Sequence, residues 1–133
     1  MNATPCGVDV PPVETLRLLS SCNPTFIART LSYDMDHMTE VLRAGLRHTG
    51  FAYVEILQLC PTYNRVQNRE WYEKNIVHTG AGYSPDRESF LGLLKLAKMP
   101  VGILLDEPRE NSNYPRKNRA EEVRKYDFME LVS

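Results

Sequence analysis

The sequence predicts an α/β fold in which a mainly parallel sheet is flanked by helices. Two apolar stretches with strand character, residues 25–30 and 51–59, lie on either side of a stretch with helical periodicity. Strand, helix and strand within about 35 residues form a βαβ unit. Such a unit is almost always parallel and right-handed, and it places functional groups beyond the carboxyl ends of its strands. A third apolar stretch, residues 101–105, predicts a final strand.

The composition is that of one soluble domain, because 42% of the 133 residues are hydrophobic and 25% are charged. The formal net charge of −1 gives no reason to expect binding to nucleic acid or to an anionic membrane. No apolar run approaches the roughly 18 residues of a membrane span, and the first ten residues lack the features of a signal peptide. We therefore expect a cytoplasmic protein whose three cysteines are reduced.

The first two elements come from residues 11–30. The stretch PPVETLRLLSS predicts a short helix with Val13, Leu16 and either Leu19 or Ser20 on one side and Pro12 in its first turn. Asn23 and Pro24 then signal a turn. The stretch TFIART, residues 25–30, mixes aromatic and β-branched residues and predicts a short strand.

A longer helix is predicted within residues 32–50. Apolar or small residues recur there at the spacing of one buried helical face. These residues are Met38, Val41, Leu42, Gly45 and Leu46. Asp34 or Asp36 would cap the start of this helix, and Gly50 would end it.

The strand at residues 51–59 is apolar apart from Glu55 and Gln58, which predicts a strand covered on both faces. Cys60 follows at its carboxyl end. A short helix is predicted at residues 68–75 and a glycine-containing loop at residues 79–85.

A last helix is predicted to start at Ser84 and Pro85 and to end before Pro100. Its apolar members are Phe90, Leu93, Leu94 and Ala97. We place the main domain at residues 1–106 and a charged, solvated C-terminal tail at residues 107–133.

Several polar groups are weak candidates for chemistry. His37 and Glu40 stand three apart on a helix, but a metal needs three or four ligands, so we assign no metal there. The stretch GAGYS at 80–84 lacks the full glycine fingerprint of a phosphate loop. No histidine stands at a spacing that would mark Cys60 as a hydrolase nucleophile, and we assign no catalytic residue.

Cys60 has two interpretations, a packing thiol that closes a strand or a ligand. The stretch GFAYVEILQLCPTYNR, residues 50–65, resembles the strand and cysteine motif in the β subunits of 2-oxoacid:ferredoxin oxidoreductases. These thiamine diphosphate-dependent enzymes oxidatively decarboxylate 2-oxoacids to acyl-CoA. The stretches at 2–7, 23–50 and 99–105 also resemble the family, so the resemblance extends to about residue 106.

The resemblance implies the carboxyl half of a thiamine diphosphate-binding fold, with Cys60 as the fourth ligand of a [4Fe-4S] cluster. It places Thr4, Pro5 and Gly7 in a loop near thiamine diphosphate and Mg²⁺. It implies as partners an α subunit, the N-terminal half of the β subunit, ferredoxin, a 2-oxoacid and coenzyme A. The CPTYN form of the motif favours 2-oxoglutarate over pyruvate.

The chain also departs from the family. The family's other three cluster cysteines and its Gly-Asp-Gly-Asp type motif are absent, and Cys6 and Cys22 do not replace them. The resemblance is therefore to the C-terminal part of a β subunit, and we expect the isolated chain to be inactive and to need the N-terminal half for every cofactor. A truncated, non-catalytic α/β remnant or interaction module is the alternative.

Overall fold

A computed structural model describes residues 10–60, 62, 64 and 66–109, which form four helices and four strands. The helices are α1 (Thr15–Ser21), α2 (Met35–Arg47), α3 (Arg69–Asn75) and α4 (Arg87–Leu93). The strands are β1 (Phe26–Leu31), β2 (Ala52–Leu57), β3 (Ile76–His78) and β4 (Met99–Asp106). No helix in this part of the chain is long and apolar enough to cross a membrane. The predicted loop with Thr4, Pro5 and Gly7 and the tail beyond residue 109 lie outside the described residues.

The strands form one sheet in the order β2-β1-β4-β3. β1 pairs with β2, and β3 with β4, in parallel, whereas β1 and β4 are antiparallel. The predicted α/β fold, mainly parallel and flanked by helices, is confirmed. Because of the antiparallel pairing, the carboxyl ends of β1 and β2 lie with the amino ends of β3 and β4. We call this the Cys60 end of the sheet, and we call the opposite one the Asp106 end.

Helix α2 begins and packs largely as its sequence predicts. Asp34 caps it by accepting a hydrogen bond from the backbone N–H of His37 at 3.2 Å. Val41 is buried, and a Cβ at Gly45 would lie 3.3 Å from Phe26 and Val54, so Gly45 lets the helix approach the sheet. The predicted burial of Leu42 and Leu46 is wrong, since they are 37% and 87% exposed. The stripe of apolar residues on α2 is wider than the part of the helix that the sheet covers.

Three groups of buried side chains form the core. Phe26, Ala28 and Val41 pack between α2 and the sheet. Helices α1 and α4 share a second group with the strands, made of Leu16, Leu19, Ile27, Phe90, Leu104 and Leu105. The third group lies at the Cys60 end and contains Leu31, Tyr72, Ile76 and Val101. The sheet is therefore covered by helices on both faces around β1 and β4.

Strand β2 departs most from its prediction. None of the residues Ala52–Leu57 is buried, because β2 is the outermost strand of the described sheet and has only β1 as a neighbour. The expectation of cover on both faces is therefore wrong for the described residues. By contrast, all six residues of β1 are buried.

The short helices also differ from prediction. Helix α1 begins at Thr15 rather than near Pro12, which leaves Val13 74% exposed. Helix α4 is capped by Asp86 rather than Ser84, and it ends at Leu93, so Ala97 lies beyond it and is exposed. Strand β3 was not predicted, because three residues are too few to produce a recognisable period.

Candidate functional site

Cys60 lies three residues beyond the end of β2, at the Cys60 end of the sheet. Cys60 is not part of a disulfide, and the residue is half-buried. Its carbonyl oxygen accepts a hydrogen bond from the backbone N–H of Asn64 at 3.2 Å, which closes a turn. Asn64 also exchanges two hydrogen bonds with Gln67, at 2.6 and 3.1 Å. The predicted position of Cys60 at a strand end is confirmed, and the turn after it is fixed by backbone and amide hydrogen bonds.

An apolar and aromatic cluster lies beside this turn. Leu59, the neighbour of Cys60, packs with Leu57, Trp71 and Met99 against the buried group at this end. Asn68 caps α3 by accepting from the backbone N–H of Trp71 at 2.9 Å, and so directs this helix back over the sheet. Cys60 therefore stands next to a region of low polarity.

Tyr33 adds an unusual polar group to the Cys60 end. Its buried hydroxyl has no hydrogen-bond partner among the described residues. The Arg69 guanidinium lies 4.9 Å from the centre of its ring. Burial raises the pKa of Tyr33, the Glu73 carboxylate raises it further, and Arg69 opposes both.

The described residues do not by themselves hold an iron–sulfur cluster. A [4Fe-4S] cluster takes four thiolates, and the cysteines among the described residues are Cys22 and Cys60. Cys22 precedes β1 whereas Cys60 follows β2, so the length of a six-residue strand, roughly 20 Å, separates them. The Cys22 thiol instead donates to the Leu18 carbonyl at 3.5 Å. Cys60 therefore fits such a cluster only as one ligand of four.

His37 and Glu40 lie on the face of α2 near β4. His37 Nδ1 is 2.9 Å from the Thr30 hydroxyl, and its ring is 5.8 Å from that of His78. Both residues line a cavity of about 290 Å³ that also includes Tyr83 and Asp106. Within residues 10–60, 62, 64 and 66–109, no three His, Cys, Asp or Glu side chains come together as a metal site.

A histidine network at the Asp106 end was not predicted from the sequence. His48 Nδ1 is 2.8 Å from an Asp106 oxygen, and His48 Nε2 is 2.9 Å from the Thr25 hydroxyl. Thr25 in turn donates to the Phe51 carbonyl at 3.0 Å. The order of groups matches that of a hydrolase triad, but Thr25 is only 6% exposed and its proton is directed to a backbone oxygen. The network therefore ties three elements together and offers no nucleophile to a substrate.

A buried ion pair joins β1 to β2 on the face opposite α2. Arg29 Nε and Glu55 Oε2 are 2.6 Å apart, and the two side chains are 10% and 21% exposed. They are directly paired in the strand register. The pair lies in a cleft of about 350 Å³ that α1 and the segment after α4 also line. It explains how the apolar strand β2 accommodates a glutamate.

The sequence of this chain is similar to parts of several known β subunits. No family model matches the chain. It is 41% identical over 64 residues to a 2-oxoacid:ferredoxin oxidoreductase subunit beta from Sulfolobus, a match covering 48% of this chain and 21% of that protein. A match to 2-oxoacid:ferredoxin oxidoreductase 1, subunit beta, from Aeropyrum pernix is 28% identical and covers 75% of this chain and 36% of that protein. A 2-oxoglutarate oxidoreductase subunit KorB from Mycobacterium tuberculosis is 44% identical over 63 residues, 47% of this chain and 17% of its own length.

The fold has a counterpart among solved structures. It superposes with a TM-score of 0.76 and 22% identity on a chain of 2-oxoglutarate:ferredoxin oxidoreductase from Magnetococcus marinus, solved with 2-oxoglutarate, coenzyme A and succinyl-CoA bound. The superposition covers 98% of this chain and 47% of that one. The chain thus spans less than half the length of the proteins that it matches. The resemblance predicted from the sequence is therefore confirmed: this chain is similar to one part of the β subunit of 2-oxoacid:ferredoxin oxidoreductases.

Proposed function

We propose that this chain is part of the β subunit of a 2-oxoacid:ferredoxin oxidoreductase. The complete enzyme would decarboxylate a 2-oxoacid oxidatively, transfer the acyl group to coenzyme A and pass the electrons to ferredoxin. The observation that carries the proposal is the position of Cys60, a half-buried cysteine beyond the carboxyl end of a parallel strand in a β-subunit-like sequence. The similarity to KorB and the substrate in the Magnetococcus structure support 2-oxoglutarate as the 2-oxoacid.

In this proposal Cys60 supplies one thiolate to a [4Fe-4S] cluster, a group that transfers single electrons when bound. The hydrogen bonds that join Cys60, Asn64 and Gln67 would hold this ligand in position. The apolar cluster beside it would limit access of water to the cluster, and solvent exposure is one of the factors that set the potential of such a group. Thr4, Pro5 and Gly7 would approach thiamine diphosphate and its Mg²⁺.

The other groups must come from partners. The remaining three thiolates and the residues that hold Mg²⁺ would be supplied by the N-terminal half of a β subunit. An α subunit would complete the enzyme, and ferredoxin would be its electron acceptor. We propose a cytoplasmic location, with residues 1–106 forming the subunit-like domain and residues 107–133 a charged tail.

The alternative is a non-catalytic α/β remnant or interaction module that keeps the fold without the chemistry. It is favoured by the presence of only one suitably placed thiol in the described residues. A neighbouring reading frame that encodes a C-x-x-C and a Gly-Asp-Gly-Asp motif would favour the enzyme, and the absence of such a frame would favour the remnant.

Reconstitution tests the proposal directly. The chain would be co-expressed with an α subunit and with the remainder of the Aeropyrum pernix β subunit, and loaded with iron and sulfide under anaerobic conditions. We expect about four irons per complex and reduction of ferredoxin by a 2-oxoacid. Cys60→Ser should lose most of the iron, because a serine hydroxyl is a much poorer ligand for iron–sulfur clusters than a thiolate. Cys22→Ser is the matched control and should keep it, so equal iron content in both variants would contradict the proposal.

A further inference from the structure

The cleft on the face opposite α2 has mostly apolar walls and a buried cation among its lining residues. We call it the Arg29 cleft. It has a volume of about 350 Å³ and lies between β1, β2, α1 and the segment that follows α4. Its lining leucines are Leu16, Leu57, Leu93, Leu94 and Leu96. Such a composition is typical of small-molecule sites, which are concave and mainly apolar with a few polar groups.

Arg29 presents unused hydrogen-bond donors to this cleft. The residue is 9% exposed, and its ion pair with Glu55 uses the Nε–H group. Among the described residues, no hydrogen bond is found for the two terminal nitrogens of Arg29. A guanidinium carries five N–H donors in a planar fork, and its terminal nitrogens match the two oxygens of a carboxylate. Because buried donors without partners cost free energy, an acceptor that enters the cleft is stabilised at Arg29.

The charges around the Arg29 cleft favour a ligand with one negative charge. Arg17 and Lys98 also line it, as does Glu14, which forms an ion pair with Arg17. Together with Arg29 and Glu55, the lining cations exceed the lining anions by one. A second negative charge on the ligand would lie near a glutamate or against the leucines, and either position costs free energy. An uncharged apolar molecule would leave the Arg29 donors without a partner.

We propose that the Arg29 cleft binds a monocarboxylate that carries an apolar chain of about six to ten carbons. The carboxylate would accept hydrogen bonds from the terminal nitrogens of Arg29. The chain would pack against the lining leucines and cover Leu96, which is 48% exposed in the free protein. This site goes beyond the proposed function and does not depend on it, because binding involves neither Cys60 nor a cofactor.

Isothermal titration calorimetry of the full chain with octanoate, below the concentration at which octanoate forms micelles, tests the proposal. Saturable binding of one octanoate per chain is expected. 1-Octanol should bind at least tenfold more weakly, because it lacks the carboxylate. Octanedioate should also bind at least tenfold more weakly, because its second carboxylate would meet the apolar wall.

Charge variants locate the binding. Lys98→Glu should weaken octanoate binding at least tenfold, since it reverses the sign of the net charge of the lining residues. Lys95→Glu is the matched control, because Lys95 is also exposed and lies in the same segment but does not line the cleft. It should bind within threefold of the unmodified chain. The double variant Arg29→Gln, Glu55→Gln keeps a neutral polar pair and should also weaken binding at least tenfold.

Thermal unfolding of each variant checks that the fold is retained, and if the double variant does not fold, the two lysine variants decide the question. The absence of saturable binding, or the uptake of several octanoates per chain, would overturn the proposal. Equal weakening by Lys98→Glu and Lys95→Glu would also overturn it, because general attraction to surface cations would then explain the binding. Binding of 1-octanol as tightly as octanoate would contradict the role of Arg29.

Discussion

The two ends of the sheet are built in different ways. At the Asp106 end, the buried His48 joins Thr25 and Asp106, and every ring nitrogen and hydroxyl in this network has a partner. At the Cys60 end, a half-buried thiol stands beside an apolar cluster, and the Tyr33 hydroxyl has no partner among the described residues. Satisfied buried polar groups stabilise a fold, whereas unsatisfied ones cost free energy unless another molecule completes them. The comparison therefore assigns stability to the Asp106 end, whereas the proposed function uses the Cys60 end.

The largest expected effect is at His48. His48→Ala should lower the free energy of unfolding by about 3 kcal/mol, because it removes a side chain that is 1% exposed and with it the hydrogen bonds to the buried Thr25 and to Asp106. Urea denaturation measures this change. Cys60→Ser should cost less than about 1 kcal/mol in the same measurement, because the residue is only half-buried. A larger loss for Cys60→Ser than for His48→Ala would reverse the assignment of the two ends.

A smaller effect is expected at Gly50, in the turn between α2 and β2. Gly50 has φ of +131°, and a Cβ there would overlap the Thr25 hydroxyl and lie 3.1 Å from His48 Nε2. Gly50→Ala should therefore destabilise the fold by about 2 kcal/mol, through backbone strain and displacement of the network. Gly82→Ala is the control, since no atom lies within 4 Å of a Cβ built there. If both variants unfold at the same urea concentration, the tight packing inferred around Gly50 is incorrect.

The smallest effects come from a matched pair of tyrosines. The Tyr83 hydroxyl donates to the Leu104 carbonyl at 2.6 Å, so Tyr83→Phe should cost about 1 kcal/mol. Tyr33→Phe should be neutral or stabilising by up to about 1 kcal/mol in the isolated chain, because it removes a buried hydroxyl without a described partner. Thermal unfolding of the two variants compares a buried hydroxyl that has a hydrogen-bond partner with one that has none among the described residues. A clear loss of stability in Tyr33→Phe would mean that its hydroxyl is satisfied within the chain.

The pH dependence of stability gives a further test of the buried Tyr83 hydroxyl. Burial raises the pKa of Tyr83 to about 12 from 10.0, with a further contribution from the Asp86 carboxylate. A raised pKa means that the folded state holds the proton more tightly than the unfolded state. The stability supplied by Tyr83 is therefore fully present below pH 10 and is lost as the pH rises towards 12. The unmodified chain should lose more stability over this interval than Tyr83→Phe, as followed by urea denaturation at each pH.

Local signals made several elements predictable. The period of α2, its Asp34 cap and the βαβ order depend on residues close in sequence, so the parallel pairing of β1 and β2 followed from them. The Cys60 motif identified the β-subunit resemblance that the comparisons support. The depth of burial was less predictable, because the same apolar run in β2 fits either an interior strand or an outer strand whose neighbour is not among the described residues.

By itself, the sequence determined the α/β class, the βαβ unit, the place of Cys60 at a strand end and the family resemblance, because each depends on short-range periodicity or on a contiguous motif. Only the tertiary structure decided the antiparallel pairing of β1 with β4, the exposure of β2 and the partners of His48. Thr25 and Asp106 lie 23 and 58 residues from His48 along the chain, and no local pattern encodes a contact over that distance. Such contacts arise when the sheet brings the start of β1 and the end of β4 together, since strand order depends on the packing of the whole core.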